Sequence, residues 1–325
     1  MKEFLDYDEK YPELVYDVLD YFRIDNPIKE ISKKSVLDYC IHSRFNASDR
    51  KELIQPSIVY RICERFVQNQ KMSCWKYASQ MDGSDANYAF FARDKEFFSK
   101  KDPAFLFWAN CLAYGFPYIY QQYLEKVLPI VVRKGDDSFM GTCFRLYDGI
   151  VTAKHCIEAD EVSILGYSAE FLSGCPVLVS SNTDIDLAFI RTRETCELLT
   201  GKASVLDQVL VMGYPSIPRF FEFCAVEQAI VSAIPTRGSI ASLADQYLSR
   251  DVGKLMLITA RIRGGNSGGP VINSTGAVVG VAFCEPMSEG NYDEMGYGIA
   301  YPIDVLKKLL DDFVPISVKF KDFEA

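Results

Sequence analysis

From about residue 127 onward the chain changes texture: short apolar runs recur every ten residues or so, each broken by Gly, Asp, Asn or Ser. The runs are Val127–Val132, Gly149–Ala153, Val162–Leu165, Leu187–Ile190, Val209–Met212, Ile230–Ala233, Met256–Ile258 and Val278–Phe283. Segments this short and evenly spaced are too brief for helices, and their turn residues set the rhythm of an all-β sandwich or barrel. Helical spacing returns only at the end, in Ile303–Phe313, where Val305, Leu306, Leu309 and Leu310 fall on one face.

The first 125 residues read differently. Leu14, Val15, Val18, Leu19 and Phe22 recur at helical spacing within Tyr11–Ile24, and Ser35–His42 is similar. In Gln55–Gln70, Ile58, Ile62, Phe66 and Val67 line one face, and Pro56 suits a first turn. A hairpin follows: Lys71–Gln80, a turn at Asp82-Gly83-Ser84, then Ala86–Ala92. Helices followed by a hairpin suggest a winged helix. Pro103–Glu125 is aromatic-rich and expected to be helical. With 325 residues in the chain, two domains are expected: a mainly helical one over 1–125 and a mainly β one over 126–325.

Hydrophobic residues make up 49% and charged residues 24%, ample material for a buried core. A net charge of −9 argues against a polyanion binder as a whole. The opening MKEFLDYDEKYPE lacks the basic start and apolar stretch of a secretory leader, and no window approaches the roughly 18 apolar residues of a membrane helix. A soluble, cytoplasmic protein with no membrane partner is expected. The ten cysteines are scattered, which in that compartment implies reduced thiols. With no CxxC pair and two histidines, no metal and no cofactor are expected.

Chemistry enters with Gly264-Gly265-Asn266-Ser267-Gly268-Gly269-Pro270. A serine hydroxyl is a poor nucleophile until a base takes its proton, and the oxyanion formed on attack needs backbone N–H donors aimed at one point. Small neighbours let the chain turn tightly around an exposed Ser267, with Gly265 and Ser267 supplying the donors. A glycine-rich string alone is equally a plain turn. A base is available at His155, in Gly149-Ile150-Val151-Thr152-Ala153-Lys154-His155-Cys156, where an apolar strand runs into a short turn. The other histidine, His42, sits in the helical half and reads as a surface residue. A third group must hold the imidazole tautomer. Thr183-Asp184-Ile185-Asp186-Leu187-Ala188 offers two aspartates. Asp186, immediately before the apolar run, is the better candidate, and Asp184 reads as a turn acid.

The three strings GIVTAKHC, DIDLAFIRT and GGNSGGPVI resemble the chymotrypsin/trypsin clan of serine proteases, whose triad runs His, Asp, Ser along the chain. The finer resemblance is to HtrA/Deg-like bacterial trypsin-like peptidases. Gly141-Thr142-Cys143-Phe144 is similar to their GTGF-like strand. Val211-Met212-Gly213-Tyr214-Pro215 is similar to their mid-domain turn, and Gly298-Ile299-Ala300-Tyr301-Pro302 to their final pocket strand. The resemblance covers about 127–313 and includes no PDZ domain. It implies a double β-barrel with the triad His155, Asp186 and Ser267 and an oxyanion hole at Gly265 and Ser267. It also implies a primary pocket near Arg261: an inward arginine would favour an acidic side chain, whereas an outward one, an equal alternative, would leave the pocket to the other wall, with Ala282, Phe283 and Ala300 as candidates. Asn266 stands where digestive trypsins have an Asp that receives a freshly cleaved N-terminus, so activation by trimming is not required.

The expected activity is serine endopeptidase, with a protein or peptide substrate. The N-terminal half would act as regulator or recognition module, through which a protein partner or activator could bind. An alternative is a winged-helix nucleic-acid-binding or protein-interaction regulator carrying a protease-like domain. Residues 1–125 carry 17 basic and 19 acidic side chains, which weakens nucleic-acid binding, although residues 26–71 are net basic. A catalytically silent fold is disfavoured by the presence of all three triad residue types.

Overall fold

The computed structural model describes residues 10–24, 34–46, 54–90, 102–215, 233–245, 254–283 and 297–323. Their packing divides the chain into Met1–Ile119 and Tyr120–Ala325.

In the first unit, helices α1 (Leu14–Phe22), α2 (Val36–His42) and α3 (Pro56–Gln68) precede strands β1 (Met72–Lys76) and β2 (Asn87–Phe90), and helix α4 (Pro103–Tyr114) follows. Ser35 caps α2 by accepting from the Asp38 N–H at 3.0 Å, and Asp102 caps α4 by accepting from Ala104. Pro56 sits in the first turn of α3, where a missing N–H costs nothing. Leu14, Val18, Leu19 and Phe22 of α1, Ile58, Val59, Ile62 and Phe66 of α3, and Tyr88 and Ala89 of β2 are buried. The chain just before α2 also bonds to the hairpin: Ser35 bridges Asn87, and the Val36 N–H donates to the Ala86 carbonyl at 3.0 Å. The aromatic stretch Pro103–Glu125, expected to be helical, holds two helices: α4 ends at Gly115 (φ 72°), whose N–H donates to the Cys111 carbonyl, and α5 (Phe116–Tyr123) restarts beyond it. A left-handed residue cannot continue an α-helix, and glycine takes that conformation without a Cβ penalty.

The second unit is mainly β, with barrel-like sheets consistent with a chymotrypsin-like double barrel. The first sheet is built from β3 (Val127–Lys134), β4 (Asp137–Leu146), β5 (Gly149–Thr152), β6 (Glu161–Ile164), β7 (Val177–Ser180) and β8 (Ala188–Ile190). A short helix α6 (Ala169–Ser173) lies between β6 and β7. The second sheet is a closed barrel of β9 (Gln208–Gly213), β10 (Ile234–Asp245), β11 (Lys254–Ile258), β12 (Pro270–Asn273), β13 (Val278–Phe283) and β14 (Gly298–Pro302), in the order β10-β11-β14-β13-β12-β9. The run Ile230–Ala233 lies largely outside the described residues, and the strand there begins at Ile234. Each barrel fills with inward side chains: Ile130, Ile150, Ile164, Val177 and Ile190 in one, Val211, Ile258, Val271, Val279 and Ala300 in the other.

After helix α7 (Ile303–Asp311) the chain returns to the first sheet. Strand β15 (Phe313–Ile316) pairs antiparallel with β7 at one edge, giving the order β15-β7-β8-β5-β4-β3-β6. Three residues on, the Val162 N–H donates to Lys319, and Lys321 donates back to Val162, on β6 at the opposite edge. Phe320 enters the core between them. One C-terminal stretch therefore satisfies both edges of the sheet, which removes the exposed pairing surface an open sheet would leave.

Ile190 lies on a central strand and is fully buried. Ile190→Ala is expected to destabilise the second unit by about 2–5 kcal/mol through the cavity it leaves. The urea midpoint should fall while the dependence on urea concentration stays unchanged.

Candidate active site

His155 sits in a single 3₁₀ turn, Lys154–Cys156, immediately after β5. The turn is closed by Cys156 N–H to Ala153 and Ile157 N–H to Lys154 hydrogen bonds, so the imidazole leaves the strand end in a fixed direction. Asp186 just precedes β8, which pairs with β5 through Thr152↔Ala188. Strand pairing thus sets the carboxylate beside the histidine, and the contact is double. The His155 backbone N–H donates to Asp186 Oδ1 at 2.8 Å, and Nδ1–H donates to Oδ2 at 2.5 Å. An ionised carboxylate only accepts, so the proton resides on Nδ1 and Nε2 faces away from the pair. Asp184 is exposed, and its N–H is held by Asn182 in a local turn. Tyr301 on β14 fixes the aspartate loop: its hydroxyl accepts from the Asp186 N–H at 3.2 Å and donates to the Asp184 carbonyl.

Burial of the imidazole opposes its positive charge, but hydrogen bonds from Asp186 and Cys156, with their charges, outweigh that and push the pKa up to about 10. The direction is the one that stabilises an imidazolium.

Ser267 lies on the connection between β11 and β12. Asn266 N–H donates to the Arg263 carbonyl at 2.9 Å, closing a turn whose third residue, Gly265, has φ 95°. That position of a type II turn excludes a β-carbon. Gly268 (φ 84°) is needed twice over, because a Cβ there would fall 2.3 Å from the Thr142 carbonyl and 2.7 Å from the Ala153 nitrogen. The serine loop is thereby pressed against the strand that carries His155. Among the described residues neither the Gly265 nor the Ser267 N–H has an acceptor, and no hydrogen bond joins Ser267 Oγ to His155. His155, Gly265 and Ser267 share the lining of one cavity of about 410 Å³.

The residue that joins these parts is Thr142, fully buried on β4. Its Oγ1 donates to the Gly265 carbonyl at 2.6 Å and accepts from the Tyr214 N–H at 2.9 Å. Its N–H donates to the Ser267 carbonyl, and its carbonyl accepts from Thr152 Oγ1 at 2.8 Å. Sequence reasoning quoted Thr142 within a motif but gave it no role, and it passed over Tyr301 in the same way. Nothing in a lone threonine or tyrosine announces partners 72 or more residues distant.

Of the residues expected to shape a primary pocket, Arg261 is exposed and lies outside the lining of this cavity, and its carbonyl accepts from Thr236 Oγ1. Ala282 and Ala300 are fully buried and stand opposite each other across β13 and β14. Ala282 holds the serine loop through its backbone, accepting from Gly268 N–H at 2.9 Å and donating to Gly269 at 2.8 Å. The Phe283 ring lies 4.9 Å from that of Tyr301.

The profile of the trypsin-like peptidase domain matches residues 141–281, from the strand of Thr142 through the serine loop. This segment is similar to trypsin-like peptidase domains. The chain is similar to the serine endoprotease DegS of Haemophilus influenzae, 31% identical over 175 residues that make up 50% of this chain and 47% of that one. It is similar also to the putative protease Do-like 14 of Arabidopsis thaliana, 29% identical over 147 residues, 42% of this chain and 30% of that one. The chain therefore spans less than half the length of either curated relative. Among solved structures, the active form of the Rv3671c protease from M. tuberculosis superposes on 61% of this chain and 85% of its own, with 17% identity and a TM-score of 0.45. No described helix is long and apolar enough to cross a membrane.

Two outcomes follow from the geometry of the site. Thr142→Val strands the buried Tyr214 N–H and the Gly265 carbonyl, each costing about 1–3 kcal/mol, whereas Thr142→Ser keeps the hydroxyl. Chemical unfolding should separate the two variants by that order. A histidine pKa raised on folding contributes stability that is complete below the unfolded value of about 6.5. It is lost as pH rises through the folded value, about 10. The stability gap between the parent and Asp186→Asn should therefore be widest near pH 6 and shrink toward pH 10, as thermal unfolding across pH will show.

Proposed function

We propose that this protein is a serine endopeptidase that cleaves protein or peptide substrates through an acyl-enzyme. The observation that carries the reading is the double hydrogen bond from His155 to Asp186, made beside a cavity that also takes in Ser267 and Gly265. Ser267 Oγ attacks the scissile carbonyl while Nε2 of the unprotonated His155, the form that grows as pH rises toward the raised pKa of about 10, accepts its proton, and the tetrahedral oxyanion takes the N–H groups of Gly265 and Ser267. His155 then returns the proton to the leaving amine, and a water molecule, activated in the same way, releases the acyl group. Asp186 keeps Nδ1 protonated and stabilises the imidazolium. No cofactor or metal is needed for any of these steps. Asn266 is buried and neutral, so its side chain requires no cation such as a new N-terminus.

The first unit is proposed as a winged-helix module that regulates or recognises. What supports this is the order of three helices and a hairpin, with the segment before α2 joined to β2 by the single Ser35–Asn87 bridge. Its partner on this reading is a protein or activator. A reducing, cytoplasmic setting is part of the same proposal, supported by the eight described cysteines, all free thiols.

Fluorophosphonate labelling of the purified chain, followed by peptide mapping, tests the nucleophile: label should appear on Ser267 and vanish in Ser267→Ala, along with proteolysis. Full activity in Ser267→Ala would sink the reading. Asp186→Asn should lose about 10⁴-fold in kcat, because an amide favours the wrong tautomer, while the exposed Asp184→Asn stays near the parent. The reverse ranking would move the orienting role to Asp184. On the acyl side, the proposal is that Arg261 favours Asp or Glu before the scissile bond. Arg261→Ala should shift a peptide library toward small apolar side chains, with Arg263→Ala as the charge control. A parent preference for apolar side chains would assign the pocket to Ala282, Phe283 and Ala300 instead.

A further inference from the structure

The residues after β15 make a second, separate attachment to the first sheet. Pairing with β7 stops at Ile316 and resumes at Lys319, on β6 at the opposite edge. The backbone contact there is one parallel bridge at Phe320, made by the two hydrogen bonds to Val162 at 3.0 and 2.9 Å. Side chains supply the rest. Phe320 is 7% exposed and enters the barrel core. Lys319 and Lys321, on either side of it, point the other way and both pair with Glu161 of β6, Lys319 at 2.7 Å. The Asp322 carboxylate accepts from the Ala169 N–H at 2.8 Å, and its carbonyl from Ser163 Oγ at 3.4 Å. A basic–aromatic–basic–acidic string is thus matched position by position, as an extended peptide is matched when it adds to a sheet edge.

That edge packs on the same core as the turn of the catalytic base. Phe320 shares one buried cluster with Ala153, Cys156 and Ile157, which bracket His155 in the chain. The Ile157 N–H closes the 3₁₀ turn, and β6 begins soon after it at Glu161. Asp186 holds the imidazole and the His155 N–H, whereas the turn itself rests on this cluster. The strand over β6 therefore completes the packing under the turn. The lysines of its ion pairs are 67% and 45% exposed, and such pairs are weak and screened by salt. Phe320 is the anchor.

Resting on the endopeptidase reading, we propose that the outer edge of β6 is a peptide-binding site for a basic–aromatic–basic–acidic strand, and that filling it sets the turn that presents His155. Its occupant is the chain's own Lys319–Asp322, docked in cis. With the strand docked, His155 is held for proton transfer from Ser267. With it displaced, the turn relaxes and kcat falls, while KM is largely kept.

The test uses the full chain. Phe320→Ala empties the anchor position. Its kcat, counted per site titrated to completion with fluorophosphonate, should fall about tenfold or more at nearly unchanged KM. A synthetic peptide of residues 318–323, Val-Lys-Phe-Lys-Asp-Phe, should restore kcat saturably, and the same peptide with Phe320→Ala should not. Lost folding alone would lower the number of titrated sites and leave kcat per site unmoved. Lys319→Glu with Lys321→Glu should lower kcat about two- to fivefold, less at high salt, and adding Glu161→Lys should restore it. If Phe320→Ala does not fold, these exposed charge variants decide: no loss, or a loss that Glu161→Lys leaves in place, overturns the proposal. An unchanged kcat per site in Phe320→Ala, or a loss that the peptide fails to reverse, overturns it too and leaves the peptidase reading standing. Failure of the parent to label at Ser267 would overturn both.

Discussion

The site depends on one buried hydroxyl. Thr142 belongs to a strand of the first sheet, yet its side chain and backbone bond to Gly265, Ser267 and Tyr214, all in segments attached to the second barrel. A buried polar group away from water must be paired, and Thr142 meets that demand across the junction rather than within its own sheet. The serine loop is thereby tied to the strand next to the one that delivers the histidine. The glycines of the loop complete the arrangement sterically. Gly268 leaves no room for a side chain against the Thr142 carbonyl and the Ala153 nitrogen, so the two backbones meet in van der Waals contact.

Tyr301 does for the aspartate what Thr142 does for the serine. It is buried on the second barrel and its hydroxyl reaches the loop of the first that carries Asp184 and Asp186. The Ser267 loop and the Asp186 loop thus each gain a tether that crosses between sheets, and Asp186 in turn holds His155. The electrostatics are a balance of opposing effects. Burial of the imidazole opposes charge on it, and the ionised carboxylate favours that charge. The carboxylate wins because it bonds both the ring and the backbone nitrogen of the same residue, which leaves little freedom for the pair to separate.

The C-terminal stretch shows how the first sheet is completed. The chain leaves the second barrel through α7, pairs with β7 and then with β6, so strands remote in sequence are closed by the last residues of the chain. Phe320 anchors that stretch in the core, and the alternation of Ile316, Val318 and Phe320 places their apolar side chains on the inner face.

The sequence by itself determined the strand rhythm from residue 127, the strings around His155, Asp186 and Ser267, and the glycines of the serine loop. These are local: a period of two, a turn that needs a missing Cβ, an acid next to an apolar run. The same logic separated Asp186 from Asp184, since only the former abuts the strand that pairs beside β5. Local patterning did not place the break at Gly115 within the aromatic stretch Pro103–Glu125. It also left the tail after residue 313 unread, because a strand with no nearby partner looks like any short apolar run. Only the tertiary structure decided that Thr142 and Tyr301 hold the site, that Ala282 acts through its backbone, that Arg261 stands exposed, and that the β3–β4 hairpin walls the cavity. Each of these is a contact between segments far apart in the chain. Such contacts are fixed by barrel closure and register, which set positions in space that no window of sequence contains.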